Sequence, residues 1–136
     1  DVVRLEPPAG AASRRLPPFA PGSGASLSFA LRNAGKRGAT LDLASPSGRA
    51  LLDRLLARTD VLIESLEAGD PALEALDPTR LLAAHPGLVV TSISDFGRFG
   101  PHARYVGTEL TGFAVGGMMY RAGSAEKPPV MAPAGP

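Results

Sequence analysis

Cysteine is absent from the 136-residue sequence, and histidine occurs only at His85 and His102. The absence of cysteine excludes a disulfide framework and any metal site that uses thiolate ligands. Two histidines are too few for a zinc centre unless carboxylates lie at suitable spacing, and the sequence has no such spacing. No metal site is therefore predicted.

Long apolar runs and an excess of one charge are also missing. No stretch of about 18 apolar residues is present, so no membrane-spanning helix is predicted. The 14 basic and 13 acidic residues are interspersed and leave a net charge of +1, which is not typical of binding to nucleic acid or a membrane surface. The chain opens on Asp1–Leu5, which is typical of a strand rather than a signal peptide. The default prediction is a cytoplasmic protein.

The length and the apolar content limit the size of the fold. With 44% apolar residues, a chain of 136 residues can bury one core, which predicts one domain over residues 1–136 or a piece of one. Asp1 is not an initiator residue, and Lys127–Pro136 is rich in proline and lacks a helix signal. We therefore expect the chain to be a segment of a longer protein.

Short apolar stretches alternate with amphipathic ones along the chain. Strands are predicted at Val2–Leu5, Ala39–Leu43, Val61–Glu64 and Leu88–Ile93. Helices are predicted at Gly48–Arg58, Thr79–Ala84 and Thr108–Tyr120. This alternation is typical of an α/β protein with a parallel sheet and flanking helices, in which the strands are covered on both faces. Ligands bind such sheets at the carboxyl ends of the strands.

The segments between these elements carry clear local signals. Residues 7–24 are rich in proline and glycine and are predicted to form a loop whose arginines are mobile. The short apolar piece Leu27–Leu31 leads into a Gly-Lys-Arg turn. Ser45-Pro46 predicts a helix start, because serine caps free backbone N–H groups and proline fits the first turn. The helix that follows is expected to pack through one leucine face, made of Leu51, Leu52, Leu55 and Leu56. No G-x-G-x-x-G sequence follows a strand, so no dinucleotide cofactor is predicted.

Five motifs follow one another in order. They are Val2–Gly10, Asn33–Leu43 (Asn-x-x-Lys-Arg-x-x-x-Leu-Asp-Leu), Ser45–Arg49 (Ser-Pro-x-Gly-Arg), Thr59–Gly69 (with Asp-Val-Leu-Ile-Glu) and His85–Pro101 (with Ser-x-Ser-Asp-Phe-Gly-x-x-Gly-Pro). Each motif alone is weak. In this order and at this spacing, the sequence resembles the family III CoA-transferases, the CaiB/BaiF family, over nearly its whole length.

The resemblance implies a fold, an activity and partners. The fold would be the Rossmann-like large domain of these enzymes, without its first strand and helix. The activity would be transfer of CoA from an acyl-CoA thioester to a carboxylic acid through an aspartyl anhydride and an enzyme-bound thioester. CoA would be a substrate, no cofactor would be permanently bound, and the protein would be an interlocked homodimer. The nucleophilic aspartate of relatives follows a stretch like Pro129–Pro136, so no catalytic residue is expected in this chain.

The resemblance also points to residues that contact CoA. Lys36 and Arg37 would contact a phosphate, although a solvated turn explains them equally well. Leu41 would line the adenine pocket, and it is equally a core leucine. Ser65, Leu66 and Glu67 occupy a loop that touches CoA in relatives, but their side chains differ, so only backbone contacts carry over.

Several positions depart from the family pattern. Ala44 replaces a basic residue that often follows Leu-Asp-Leu, and residues 71–76 lack an arginine that is common there. Thr108 replaces the histidine of the related α-methylacyl-CoA racemases, which disfavours racemase chemistry. Two alternatives stay open: a degenerate, non-catalytic half of a fused transferase, and a small α/β ligand-binding module unrelated to CoA. Glu64 and Asp95, both at strand ends, are interpreted as a capping and a turn-forming carboxylate.

Overall fold

The structure is a computed structural model that describes residues 1–124 and 126–128. The strands within these residues are β1 (Val3–Glu6), β2 (Arg37–Thr40), β3 (Val61–Glu64) and β4 (Val89–Ser92). The α-helices are α1 (Leu27–Arg32), α2 (Pro46–Leu56), α3 (Pro78–Ala84) and α4 (Glu109–Val115). Short 3-10 helices span Ala12–Arg15, Pro71–Glu74 and Met118–Arg121. The proline-rich stretch Pro129–Pro136, after which the nucleophile is expected, lies outside the described residues.

The strands form two parallel pairs. β1 pairs with β2 in a register that runs from Val3 opposite Arg37 to Glu6 opposite Thr40. β3 pairs with β4: the Val89 N–H donates to the Asp60 carbonyl and the Ile93 N–H to the Glu64 carbonyl, each at 2.9 Å. From the first of these bonds to the second, both strands advance by four residues in the same direction. This pair is therefore also parallel. The predicted α/β class with parallel strands and flanking helices is confirmed.

The bounds of β2 differ from the prediction. The alternating pattern predicts a strand over Ala39–Leu43, but β2 begins two residues earlier and ends at Thr40. The Leu41 N–H still donates to the Glu6 carbonyl at 2.8 Å, after which the chain turns at Asp42. The Asp42 carboxylate accepts from the Ala44 N–H at 3.0 Å and stabilises this turn. The strand therefore ends at Thr40, although the alternation of apolar and polar residues continues to Leu43.

Side-chain caps begin each of the four α-helices described. Ser45 accepts from the Gly48 N–H at 3.0 Å at the start of α2, as its sequence predicts. Ser26 caps α1 in the same way through the Phe29 N–H at 3.1 Å. The sequence predicts only a short apolar piece after Ser26, and the structure shows a helix there instead. The remaining caps are Asp77 on α3 and Thr108 on α4.

The buried face of α2 is narrower than the four-leucine face that its sequence predicts. Leu52 and Leu56 are buried, whereas Leu51 is 49% exposed and Leu55 is 37% exposed. The buried positions are Gly48, Leu52 and Leu56, which follow one another at a spacing of four residues. This spacing places them in one row along the helix. Among the described residues, the other buried apolar side chains are Ala75, Leu76, Leu81 and Leu88.

Helix α4 is shorter than predicted. The sequence predicts a helix over Thr108–Tyr120, but α4 ends at Val115. Gly117 follows with a φ of 72°, a left-handed conformation that glycine adopts easily and that stops an α-helix. The residues after it form the 3-10 helix Met118–Arg121 instead of a further turn of α4.

The chain forms two compact units. The first contains Asp1–Leu62 with Glu74–Val89, and the second contains Ile63–Leu73 with the described residues from Val90 onward.

The prediction that β3 is covered on both faces is wrong for the described residues, since Val61 and Ile63 are more than half exposed. Across residues 1–124 and 126–128, no helix combines the length and the apolar character needed to cross a membrane. The assignment of one domain to residues 1–136 stays a prediction.

Candidate functional site

The last residue of β1, Glu6, organises the loop that follows it. Its side chain is only 5% exposed. Carboxylate oxygen Oε2 accepts from the Ala11 N–H at 3.0 Å and from Arg14 Nε at 2.7 Å, and Oε1 accepts from Arg14 Nη2 at 3.0 Å. The Arg4 Nε lies 3.4 Å from Oε1. Glu6 therefore ties the chain at Ala11 and Arg14 back to the carboxyl end of β1.

Arg14, one of the two loop arginines that are expected to be mobile, makes several contacts. Besides its two bonds to Glu6, its guanidinium lies over the Phe29 ring, 4.1 Å from the centroid. The guanidinium of Arg4 lies 5.2 Å from the same centroid. Hydrogen bonds from Arg14 and from the Ala11 N–H outweigh the effect of burial and lower the pKa of Glu6 to about 2. Glu6 is thus ionised in the folded protein at all ordinary pH values.

Protonation of Glu6 is expected to destabilise the fold in acid. Its folded-state pKa of about 2 lies below the ordinary value of 4.5, so its stabilising effect is complete above pH 4.5 and disappears as the pH falls toward 2. Over this window, the Glu6→Gln variant of the full-length protein should take up about one proton fewer on unfolding than the wild type. Urea unfolding from pH 2 to 6 measures this difference, with Glu74→Gln, an exposed carboxylate, as the matched control. Equal slopes in wild type and Glu6→Gln would contradict the assignment.

Lys36 and Arg37 lie at the amino end of β2. The Lys36 ammonium donates to the Arg32 carbonyl at 2.8 Å and to Asn33 Oδ1 at 3.3 Å, so it closes the carboxyl end of α1. Arg37 Nη2 lies 3.1 Å from a carboxylate oxygen of Asp1, and both side chains are exposed. Lys36 also lines a shallow depression of about 200 Å³ together with Arg4, Ser13, Phe29, Arg32 and Asn33.

Leu41 lies at the opposite end of β2 from Lys36 and Arg37. It directly follows the carboxyl end of the strand and is half-buried. A strand of four residues spans roughly 13 Å, so Lys36 and Leu41 lie at opposite ends of the β1–β2 pair. The structure therefore does not bring Leu41 together with the two predicted phosphate contacts.

Glu64 forms a second strand-end cluster in the second unit. Its side chain is 4% exposed. Its Oε2 accepts from the Leu66 N–H at 2.9 Å, and its Oε1 accepts from Arg98 Nη1 at 2.6 Å. Burial raises the pKa of Glu64, but the hydrogen bonds from the Leu66 N–H, Ser92 and Arg98 outweigh it, so the pKa is lowered. The interpretation of Glu64 as a capping carboxylate is confirmed.

The predicted contact residues Ser65, Leu66 and Glu67 form the loop directly after β3. Ser65 and Glu67 are exposed, and Leu66 is half-buried. The Glu67 carbonyl accepts from the Asp70 N–H at 3.1 Å, and the Leu66 N–H is held by Glu64. The backbone of this loop is thus fixed at both ends while two of its three side chains face solvent.

Sequence reasoning missed Arg98, the cation of this cluster. Arg98 lies after β4 in a glycine-containing loop, and its Nη1 also lies 3.5 Å from Ser92 Oγ. The only sequence signal was positional: the ends of two adjacent parallel strands, β3 and β4, lie side by side, so a charge after one can reach a charge at the other.

Asp95 closes the loop that follows β4. Its Oδ2 accepts from the Gly107 N–H, twelve residues further along the chain, at 3.1 Å. Within the loop, the Phe96 and Tyr105 rings pack edge to face with centroids 5.8 Å apart. This bond spans twelve residues rather than a local turn, so the interpretation of Asp95 as a turn-forming carboxylate stays a prediction. Among the residues that the structure describes, no group of His, Asp or Glu side chains is placed to hold a metal ion.

The sequence matches a known protein family and several curated relatives. The model of CoA-transferase family III matches residues 1–135. The succinyl-CoA:(R)-benzylsuccinate CoA-transferase subunit BbsE of Thauera aromatica is 40% identical over 136 residues, covering 98% of this chain and 33% of that protein. The succinate–glutarate CoA-transferase of Agrobacterium fabrum is 35% identical, covering 97% of this chain and 34% of that protein. The chain spans about a third of the length of these two relatives.

Solved structures show the same similarity. A CaiB/BaiF family protein from Brucella suis superposes with a TM-score of 0.83 at 33% identity, covering 98% of this chain and 36% of that chain. The protein Rv3272 from Mycobacterium tuberculosis superposes with a TM-score of 0.81 at 27% identity, covering 98% of this chain and 37% of that chain.

Proposed function

Because the chain belongs to CoA-transferase family III, we propose that it is part of an enzyme that moves CoA from an acyl-CoA thioester to a carboxylic acid. The observation that carries the proposal is the match to this family over residues 1–135, together with relatives that are named as CoA-transferases. The reaction needs a nucleophilic carboxylate, which in the family is an aspartate that attacks the thioester. We place that aspartate outside the 136 residues, so this chain binds and orients CoA.

In the second unit the proposed contact for CoA is the loop Ser65–Glu67, and in the first unit, taken by itself, it is Leu41. Both follow a strand directly, which is where ligands bind parallel sheets. The loop would offer backbone groups, and Leu41 would offer apolar surface to the adenine ring. CoA is a substrate in this proposal, and no permanently bound cofactor is invoked.

Lys36 and Arg37 are the proposed contacts for a phosphate of CoA. Their support is positive charge at exposed positions, with Arg4 and Arg32 lining the same depression as Lys36. In this role the Lys36 ammonium would keep its bonds to the Arg32 carbonyl and Asn33, which leave one of its three N–H donors for a phosphate oxygen.

The partners of the full-length protein belong to the same proposal. We propose an interlocked homodimer in the cytoplasm that acts on an acyl-CoA and a carboxylic acid and does not bind nucleic acid or membranes. The support for an assembly is that the Thauera relative is named as a subunit.

A non-catalytic, degenerate half of a transferase is the second candidate. Two observations favour it: Ala44 stands where a basic residue often follows Leu-Asp-Leu, and Lys36 already caps α1. Racemase chemistry is less favoured, because Thr108 offers no imidazole and its hydroxyl accepts from the Thr111 N–H at 3.2 Å.

A transfer assay on the full-length protein tests the proposal. Succinyl-CoA is incubated with a panel of carboxylic acids, and mass spectrometry follows the products. We expect new acyl-CoA and free succinate in equal amounts, and a covalent enzyme intermediate trapped by hydroxylamine at an aspartate outside these 136 residues. CoA binding without transfer supports the degenerate half. If the protein neither binds CoA nor transfers it, both candidates are contradicted. That outcome would favour a module unrelated to CoA.

A further inference from the structure

We infer that Arg98 is a positioning residue that fixes the backbone of the loop Ser65–Glu67 through the carboxylate of Glu64. We call Glu64, Arg98 and the Leu66 N–H the Glu64 clamp. The inference rests on the proposed function, since it takes this loop as a CoA contact. Arg98 itself is not assigned any contact with CoA.

The two oxygens of Glu64 have separate tasks in the clamp. Oε2 accepts from the Leu66 N–H at 2.9 Å, and Oε1 accepts from Arg98 Nη1 at 2.6 Å. The backbone of Glu64 is itself held, because its carbonyl accepts from the Ile93 N–H at 2.9 Å. Since a carboxylate is planar and its main chain is fixed, the guanidinium on one oxygen sets where the other oxygen points. Arg98 therefore controls whether Oε2 faces the Leu66 N–H.

Arg98 also keeps Glu64 in the form that the clamp needs. The Glu64 side chain is 4% exposed and that of Arg98 is 19% exposed, so water screens the pair only weakly. An ionised carboxylate accepts hydrogen bonds on both oxygens, whereas a protonated one must donate from one of them. A buried carboxylate without its cation is unfavourable and would protonate or turn toward solvent. Either response would release the Leu66 N–H and loosen the loop.

The clamp should act on binding rather than on chemistry. A loop that binds CoA before and during the reaction stabilises the ground state and the transition state equally. Loosening the loop therefore raises KM, while kcat stays nearly constant. A purely structural role for Arg98 would lower thermal stability without this split.

Calorimetry with CoA and amide hydrogen exchange at Leu66, both on the full-length protein, test the inference. The variants are Arg98→Met, the conservative Arg98→Lys, and Arg104→Met, which removes an exposed arginine from the same loop. We expect Arg98→Met to bind CoA about tenfold more weakly and to exchange the Leu66 amide faster, as loss of a charge-assisted hydrogen bond predicts. Arg98→Lys should recover most of the affinity, and Arg104→Met should match the wild type.

The outcomes separate this inference from the proposed function. A wild-type protein that does not bind CoA contradicts the proposed function. A wild type that binds CoA, with Arg98→Met binding it within twofold of Arg104→Met, overturns the inference alone. If Arg98→Met fails to fold, the double variant Glu64→Gln/Arg98→Met removes the unpaired charge as well, and it should show the same direction of change in affinity and exchange.

Discussion

Replacing Gly48 with alanine is expected to destabilise the fold by about 3 kcal/mol, the upper part of the usual range for overpacking. A Cβ at this position would overlap the Asp42 carbonyl oxygen and lie 2.7 Å from the Asp42 carbonyl carbon. The contact is with backbone, so no side-chain rotation relieves it. That carbonyl is also held in place, because it accepts from the Ser45 hydroxyl at 2.9 Å and the Ser45 N–H at 3.3 Å.

The matched control for Gly48→Ala is Gly87→Ala. An added Cβ at Gly87 meets no described atom within 4 Å, and its φ lies outside the left-handed region. Urea unfolding of the full-length protein should therefore show a large loss for Gly48→Ala and a change near zero for Gly87→Ala. If Gly48→Ala lost as little unfolding free energy as Gly87→Ala, the turn between β2 and α2 would adjust freely to the added Cβ.

Truncation of Leu52 to alanine should cost about 3 kcal/mol of unfolding free energy, because it removes a fully buried side chain and leaves a cavity. Leu51 is the matched control on the same helix. It is chemically identical and adjacent, but it is 49% exposed, so Leu51→Ala should cost less than about 1 kcal/mol. The difference in urea midpoint between the two variants measures the effect of burial alone. Equal losses would place both leucines in a common core and restore the wide leucine face that the sequence predicts.

Local signals predicted the parts of the fold that local interactions determine. β3 has the predicted bounds, since its apolar run is short and ends at a charged residue. The start of α2 follows from Ser45-Pro46, and the cap that serine forms there depends only on residues three apart. The α/β class follows from the alternation of elements. The family resemblance, based on five motifs in order, is confirmed by the match over residues 1–135.

Features that depend on distant residues were not predictable from the sequence pattern. The bounds of β2 are set by its register against β1, more than thirty residues away. The pairing of Arg98 with Glu64 joins positions 34 residues apart. In α2, the pattern cannot distinguish Leu52 from Leu51, because which leucine is buried depends on what packs against the helix. The contacts of Lys36, Arg37, Leu41 and Ser65–Glu67 with CoA stay predictions.

The requirement for glycine at position 48 could be predicted only in part. The motif Ser45–Arg49 includes this glycine, but the sequence supplies no reason for it. The reason is the approach of the Asp42 carbonyl, which is visible only once the turn is built. Arg49 closes the same turn from the other side, since its Nε donates to the Leu43 carbonyl at 3.0 Å.

The clamp on the Leu66 N–H bears on how this segment can diverge in evolution. The side chains of Ser65 and Leu66 differ from those expected in relatives, yet the loop is held through a backbone N–H that every residue except proline provides. Side chains in the loop can therefore drift without altering its path, as long as Glu64 and Arg98 are kept. If the loop contacts CoA as proposed, substitutions there would change the surface that it offers to the ligand while the fold stays nearly unchanged.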